Sequence, residues 1–193
     1  MVLRSTSQHR SIDVHHLLPQ ILTAGQTPEK GATPMQQREH ILSLLDSLSA
    51  DDQAFMVRLL EAKIRSNQSP LAYIEEMMSY QYAGQDGDLY IHKMEVRPEI
   101  SNRYGMLHGG ILSTFIDTAM GATCFVVNGT THKTVTLDLQ VKFLKEAKHG
   151  TLTCKTKFQK NGRTISVLES HVYDEGGHII GSATGTFFKI PNS

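Results

Sequence analysis

The chain has 193 residues, a length that suits one ordinary domain with an added segment and excludes most architectures with two domains around a cleft. Lysine plus arginine and aspartate plus glutamate each number 19, so the formal net charge is zero. A neutral chain lacks the positive charge typical of nucleic-acid-binding or membrane-binding proteins, and no uninterrupted apolar run approaches the ~20 residues of a transmembrane helix. We therefore expect a soluble protein with no nucleic-acid or membrane partner.

Residues 1–33 are rich in Ser, Thr, Gln and His, with little hydrophobic periodicity, which predicts a flexible leader. Two arginines and no acidic residue precede Asp13, which leaves mitochondrial targeting as an alternative to a cytoplasmic location. Cys124 and Cys154, the two cysteines of the chain, both lie in apolar stretches. We therefore predict free thiols in a reducing compartment and no zinc site built on cysteine.

Residues 34–68 are predicted to form an N-terminal helical extension, because apolar residues recur there at helical spacing. The first apolar stripe consists of Ile41, Leu44, Leu45 and Leu48, and the second of Met56, Leu59, Leu60 and Ile64. Two such short helices cannot bury these stripes alone, so we expect them to pack on the main domain or on a partner subunit. A DNA-binding helix-turn-helix is the alternative, but residues 1–70 hold seven basic and seven acidic side chains, which argues against phosphate binding.

Residues 69–193 are predicted to form the main domain. Pro70 begins a helix that continues to about Tyr80, and residues 89–96 form a strand after a glycine-containing turn. The segment from Ile111 to Val127 is apolar on nearly every face and too long for a typical strand, which predicts a buried helix.

The C-terminal half of this domain is predicted to be a sheet. Residues 134–143 alternate between apolar and polar side chains without a break, which predicts a half-buried strand. Its predicted inward side chains are Val135, Leu137, Leu139, Val141 and Phe143. Three further extended runs, residues 151–159, 164–173 and 178–189, are separated by short glycine turns, which predicts an antiparallel meander. The predicted fold class is α+β, with a curved sheet wrapped around the central helix.

The start of that central helix is a candidate carbonyl-binding site. It contains the string Leu107-His108-Gly109-Gly110, in which two glycines leave the free N–H groups of the helix start open to another molecule. Such groups can polarise a carbonyl or stabilise an oxyanion. Alone, the glycine pair is also explained by a sterically required turn, and the histidine by a helix cap.

Asp117 is the one charged residue between Ile111 and Val127, and it lies too far into the helix to cap its start. A carboxylate in an apolar helix must be paired, be neutralised or face a cavity. We predict that Asp117 is a general base, with a purely structural, hydrogen-bonded carboxylate as the alternative. Cys124 has no adjacent base and is predicted to be a packed thiol rather than a nucleophile.

The sequence contains no nucleophile elbow, phosphate-binding loop or dinucleotide-binding motif, and no His or Cys pair at metal-ligand spacing apart from the adjacent His15 and His16. We therefore expect no metal and no separate cofactor. Between Lys133 and Arg163 there are eight basic residues and two acidic ones. This local excess indicates an anionic ligand, although lysines on exposed strands also serve solubility.

The string from Asn102 to Gly110, followed by Asp117 and the strand that starts at Thr134, resembles the hotdog-fold acyl-CoA thioesterases of the PaaI-like, 4-hydroxybenzoyl-CoA thioesterase superfamily. Three features coincide: an Asn six residues before the His, the His-Gly-Gly itself, and an Asp nine residues after the His. The resemblance covers roughly residues 71–189 and implies the hotdog fold.

The resemblance also implies hydrolysis of acyl-CoA or aryl-CoA thioesters to the free acid and CoA. The Gly109 N–H would polarise the thioester carbonyl, and Asn102 and His108 of the same subunit would shape that pocket. Asp117 of the neighbouring subunit would activate water or attack directly, and Thr136 would orient the water. The implied assembly is a homodimer or homotetramer with the site at the subunit interface.

CoA is part of the substrate in this interpretation, and its phosphates need basic partners. The turn Lys160-Asn161-Gly162-Arg163 is predicted to supply them, and Gly110 is also predicted to contact the substrate. Two alternatives remain open. One is a hotdog protein that binds acyl-CoA without turnover and regulates transcription, and the other is a hotdog dehydratase or hydratase, which uses a histidine in a different surrounding pattern.

Overall fold

The computed structural model describes residues 33–191 in two compact units, one that ends at Ser49 and one that begins at Ala50. Helix α1 of the first unit spans Pro34–Asp46 and confirms the first predicted helix. The Thr33 hydroxyl caps it by accepting the Gln36 N–H at 3.3 Å, while the Gln36 side chain accepts the Thr33 N–H at 2.8 Å. Residues 1–32 of the predicted leader lie outside the described residues.

Within residues 50–191, helices α2 (Ala50–Ser66), α3 (Tyr73–Met77) and α4 (Gly109–Asn128) accompany a six-stranded antiparallel sheet. The strands are β1 (Gln81–Asp86), β2 (Leu89–Val96), β3 (His132–Phe143), β4 (Gly150–Asn161), β5 (Ile165–Tyr173) and β6 (Ile179–Pro191). Their order in the sheet is β1-β2-β4-β5-β6-β3. Helix α4 contacts five of the six strands, which confirms the predicted α+β class with a central helix.

The helix predicted from Pro70 to Tyr80 is wrong in length, because α3 is confined to Tyr73–Met77. Ser79 adopts a positive φ of 49°, which a helix does not tolerate, and there the chain turns into β1. Strand β1 was not predicted. It forms one edge of the sheet.

The predicted meander is confirmed for β4, β5 and β6, whereas β3 lies beside β6 at the other edge of the sheet. The connection between β3 and β4, residues 144–149, does not form a hairpin. The Leu144 N–H binds the Ile180 carbonyl at 2.9 Å, and the Ala147 carbonyl accepts the Leu107 N–H at 2.8 Å. These hydrogen bonds hold the connection beside the segment that leads into α4.

Helix α4 supplies the largest part of the core. Its buried side chains are Leu112, Phe115, Ile116, Ala119, Met120, Thr123 and Cys124. By length and composition alone, residues 109–131 are apolar enough to cross a membrane, with a mean hydropathy of 1.5. In the described fold the buried side of α4 packs against the sheet, while Phe125, Val126 and Val127 near its end are exposed. Burial raises the pKa of the free thiols of Cys124 and Cys154 to about 11, in agreement with the packed thiols that were predicted.

Strand β3 does not alternate as predicted, because it contains a β-bulge just after Thr136. Leu139 and Val141 pack against the core as predicted. Before the bulge the phase is reversed, so Val135 is 42% exposed, and Leu137, the extra residue in the bulge, is 59% exposed, contrary to the prediction. The bulge thereby turns the Thr136 side chain toward α4.

A buried hydrogen-bonded chain joins β2 to α4. The fully buried His92 ring accepts the Tyr80 hydroxyl at Nδ1 and donates from Nε2 to Thr123 Oγ1, both at 2.9 Å. The Thr123 hydroxyl donates in turn to the Ala119 carbonyl at 2.8 Å, which assigns the proton of the ring to Nε2. Burial lowers the pKa of His92 to about 4.

The neutral His92 predicts a loss of stability in acid. In the unfolded chain His92 is protonated below pH ~6.5, whereas in the native state it stays neutral down to about pH 4. Between these pH values the unfolded state therefore binds one more proton, and the free energy of unfolding falls as the pH falls. We expect His92 to contribute a loss of about 2–3 kcal/mol between pH 7 and pH 4.5. Urea unfolding at both pH values measures it. The variant His92→Gln serves as the control, and an equal pH dependence in that variant would contradict the assignment.

Candidate active site

The first turn of α4 leaves one amide free. His108 is the N-cap, and its Nδ1 accepts the Gly110 N–H at 3.0 Å. The His108 carbonyl accepts the N–H groups of Ile111 at 2.9 Å and Leu112 at 3.1 Å. No described residue accepts the Gly109 N–H, so this donor at the positive end of the helix is open to a ligand.

Asn102, predicted to shape the pocket, organises the loop before α4. Its side-chain oxygen accepts the N–H groups of Tyr104 at 2.9 Å and Met106 at 3.3 Å, and its own N–H donates to the Met106 carbonyl at 2.7 Å. Gly105 closes this loop with a φ of +69°, a conformation that favours glycine. Asn102 therefore acts within the chain by fixing the path of residues 102–106.

A cavity of about 340 Å³ lies beside Gly109. Its lining is mainly apolar and comprises Met106, Leu107, Gly109, Leu112, Phe143, Leu144, Lys145, Glu146, Ala147 and Ile180. A side-chain carbon at Gly109 would lie 3.3 Å from the Phe143 ring, so glycine keeps the approach to the amide clear. Phe143 and Leu144, exposed by 58% and 53%, form the accessible wall.

A second groove, of about 460 Å³, opens beside His108 and Gly110. It is also lined by Glu99, Ile100, Ser101, Ile111 and Thr114. Because His108 Nδ1 accepts a backbone N–H, the ring proton resides on Nε2 and can be donated to a ligand. The predicted residues Asn102, His108, Gly109 and Gly110 thus come together around the start of α4.

Asp117 is hydrogen-bonded, one of the three possibilities named for a carboxylate in an apolar helix, and its partner is a neutral hydroxyl. Its half-buried carboxylate accepts the Thr136 hydroxyl at Oδ1 over 2.8 Å. Eight residues separate it from Gly109, which is about 12 Å along the helix. Within one chain, Asp117 and Thr136 therefore form a second group of site residues, out of reach of a carbonyl bound at the Gly109 N–H.

The turn between β4 and β5 carries the predicted phosphate-binding residues. Lys160, Asn161 and Arg163 are exposed. The Gly162 N–H binds the Ile165 carbonyl at 2.9 Å, and a side-chain carbon at Gly162 would come within 2.9 Å of that same oxygen, which requires glycine here. The turn presents two cations to solvent.

Lys189, which sequence reasoning missed, fastens this turn to the end of α4. It is only 7% exposed, and its Nζ donates to the Gly162 carbonyl at 2.9 Å and to the side chains of Asn161 and Asn128 at 2.5 Å and 3.1 Å. No described carboxylate contacts this ammonium. The inward-facing Phe187 two residues earlier was the sequence signal that places Lys189 on the inner face.

The excess of basic residues is partly neutralised. Lys145, Lys148 and Lys157 form ion pairs with Asp174, Glu146 and Glu169 at 3.4, 2.9 and 3.1 Å. Among the described residues, the cations of the β4–β5 turn form no such pair. Lys133 and Lys142 on β3 and Lys155 on β4 also form no ion pair with a described residue, so unpaired positive charge lies on the strands as well as on the turn.

The fold and this site define the class of the chain: a hotdog-fold protein whose central helix presents an unpaired amide to an apolar cavity. Residues 104–180 match the family model of the thioesterase superfamily.

Two relatives each match less than half of the chain. A protein of Saccharolobus solfataricus, named as a candidate esterase, is 32% identical over 94 residues, which are 49% of this chain and 66% of the relative. The medium/long-chain acyl-CoA thioesterase YigI of Escherichia coli is 26% identical over 95 residues, which are 42% of this chain and 61% of YigI. The alignments thus span slightly less than two thirds of these relatives.

Two solved structures show the same fold. The BH2602 protein from Bacillus halodurans, solved with CoA, superposes with a TM-score of 0.70 at 20% identity and covers 77% of this chain and 99% of its own. A mutant thioesterase PA1618 from Pseudomonas aeruginosa superposes with a TM-score of 0.60 at 18% identity and covers 69% and 94%. These likenesses confirm the predicted hotdog fold.

Proposed function

We propose that this protein hydrolyses acyl-CoA or aryl-CoA thioesters to the free acid and CoA. The observation that carries the proposal is the unpaired Gly109 N–H, which lies at the positive end of α4 beside an apolar cavity. A thioester carbonyl that accepts this N–H is polarised, while its acyl group occupies the apolar space. The superfamily match and the named activity of YigI support the same reaction.

Asp117 supplies the second half of the chemistry. Thr136 holds its Oδ1, which leaves Oδ2 to accept a proton from water or to attack the carbonyl carbon itself. In the first case the water oxygen bonds to the carbonyl carbon, its proton passes to Asp117, and the C–S bond breaks. The CoA thiolate then leaves and takes up a proton. The Thr136 oxygen keeps a lone pair with which it can orient the water.

The complete site requires two copies of the chain, because about 12 Å separates Gly109 from Asp117 along one helix. The β3 edge supports their pairing, since Val135, Leu137 and Phe143 are 42–59% exposed there. Phe143 lies beside Gly109, and Thr136 beside Asp117. Antiparallel pairing of two β3 edges, with Thr136 of the partner subunit opposite Phe143, brings Asp117 of the partner subunit to Gly109. The assembly is a homodimer, or a homotetramer of two such dimers.

The β4–β5 turn then binds the CoA phosphates. Through Lys189 it is fastened to Asn128, which lies eleven residues, or about 16 Å, beyond Asp117 along α4. An extended pantetheine arm, about as long as five extended residues, spans this distance. Lys160 and Arg163 of the subunit that supplies Asp117 thus meet the phosphates of the thioester that it attacks.

A panel of aliphatic and aromatic CoA thioesters tests the proposal, with released CoA measured by a thiol reagent. We expect turnover of at least one class, and a KM at least about tenfold higher for the matching N-acetylcysteamine thioester, which lacks the phosphates. The double variant Lys160→Met/Arg163→Met should raise the KM for the CoA thioester only. Lys155→Met, which removes a cation over the Tyr173 ring, is the matched control.

Two results would contradict these assignments. Tight binding of acyl-CoA without release of CoA would exclude hydrolysis and support the transcriptional regulator instead. An unchanged KM for the CoA thioester in the double variant would exclude the β4–β5 turn as the phosphate site, while leaving the hydrolytic reaction intact.

A further inference from the structure

Helix α2 lies before the residues that match the thioesterase superfamily, yet it packs on the segment that leads into the proposed site. Its inner face includes Ala62, which is 2% exposed, and the half-buried Leu59. Arg65 on the same helix forms an ion pair with Glu76 at 3.0 Å, which fastens α2 to α3. The helix is therefore a fixed part of the second unit.

A second ion pair connects α2 to residues 98–100, which form a single 3₁₀ turn. Arg58 donates from Nε to Oε1 of Glu99, whose side chain is only 4% exposed. The other carboxylate oxygen of Glu99 is buried and has no hydrogen-bond partner among the described residues. Arg58 is thus the countercharge of a buried carboxylate, and its removal would leave that charge uncompensated.

The 3₁₀ turn is hydrogen-bonded to the start of α4. The Ile100 carbonyl accepts the His108 N–H at 3.0 Å, and Ser101 pairs with Leu107 in an isolated antiparallel bridge. Glu99 and Ile100 also line the groove that contains His108. A displacement of Glu99 would therefore move one wall of the groove and loosen the residue that precedes Gly109.

We propose that Arg58 and Glu99 are positioning residues of the site: by neutralising Glu99, the helix α2 holds the 3₁₀ turn against the N-cap of the central helix. Helix α2 then helps to fix the geometry of the site, although it supplies no residue that contacts the substrate. The consequence for turnover rests on the proposed function, whereas the consequence for the His108 amide does not.

Four variants test this: Arg58→Met, Glu99→Gln, the double variant Arg58→Met/Glu99→Gln, and Arg65→Met as a matched control on the same helix. Hydrogen exchange of the His108 amide is compared with that of the Thr156 amide in the middle of the sheet, and kcat and KM are measured on the best CoA thioester. We expect Arg58→Met to raise the exchange rate at His108 by about tenfold or more over its change at Thr156, and to lower kcat about tenfold.

In the double variant, which buries no unpaired charge, both effects should largely disappear, and in Arg65→Met both should stay within about twofold of the wild type. Equal acceleration at His108 and Thr156, or no change at either, would overturn the proposal. If Arg58→Met does not fold, Arg58→Gln decides, because a neutral amide also leaves the buried Glu99 carboxylate without its countercharge and should speed exchange at His108 selectively. Glu99→Gln, which buries no charge, should behave like the double variant. A protein that hydrolyses no thioester would refute the proposed function alone, since the exchange measurement is independent of turnover.

Discussion

Replacing Asp117 by asparagine is expected to lower kcat on CoA thioesters by about 10³-fold or more, since asparagine can neither accept the proton of the attacking water nor attack as a carboxylate. The side-chain oxygen of asparagine can still accept the Thr136 hydroxyl, so the local packing survives. KM and the binding of CoA, measured by calorimetry, should change little. Released CoA in a stopped assay measures the loss.

A carboxylate elsewhere on the domain provides the control for this variant. Asp86 is exposed on β1, at the edge of the sheet opposite β3. Asp86→Asn should retain wild-type turnover. If Asp117→Asn also retained it, Asp117 would be the structural carboxylate of the alternative interpretation, and the base would have to be sought elsewhere.

Replacing Gly109 by proline is expected to lower kcat by about 10²- to 10³-fold, because it removes the N–H at the helix start that no residue in the described part of the chain accepts. The backbone tolerates proline there. Gly109 is the first helical residue, a position that favours proline, and His108 before it has φ −65° and ψ 130°, which suits a residue that precedes proline. Single-turnover rates on a CoA thioester measure the effect.

Gly109→Ala separates the loss of the donor from the added bulk. Alanine keeps the N–H, and its side-chain carbon would meet only the exposed Phe143 ring, at 3.3 Å, so we expect a loss of less than about tenfold. An equal loss in alanine and proline variants would show that crowding, and not the hydrogen bond, is responsible.

Mixing the Gly109→Pro and Asp117→Asn variants tests whether the site is shared between two subunits. In a mixture refolded together, the dimer of one Gly109→Pro and one Asp117→Asn subunit contains one site with both an intact Gly109 and an intact Asp117. Random pairing should then restore about a quarter of the wild-type activity, if the site lies across a twofold interface. Activity that stays at the level of the separate variants would place both groups in one chain, contrary to the 12 Å separation along α4.

The residues at the start of α4 could be predicted from the sequence because their arrangement is local. His108, Gly109 and Gly110 are consecutive, and a helix N-terminus exposes the same amides wherever it occurs. Asp117 was also recognisable, as a single charge in a long apolar helix. The structure adds the hydrogen bond from Thr136, whose partner lies nineteen residues away.

The sheet shows where this reasoning fails. Alternation predicts the faces of a strand only if the register is unbroken, and the bulge after Thr136 leaves no local mark in the sequence. His92 and Lys189 were missed for a similar reason. Their partners come from distant segments, so neither the acceptors around the Lys189 ammonium nor the chain from Tyr80 to Thr123 follows from neighbouring residues.

The bulge in β3 also affects how this chain should be compared with the proteins it resembles. One extra residue in the strand reverses which side chains face the helix, so a relative without the bulge would present a different alignment column at the place of the Thr136 hydroxyl. An alignment without a gap would then assign the partner of Asp117 to a residue on the outer face. A structural superposition of the strands identifies the residue equivalent to Thr136 in relatives more safely than a sequence alignment does.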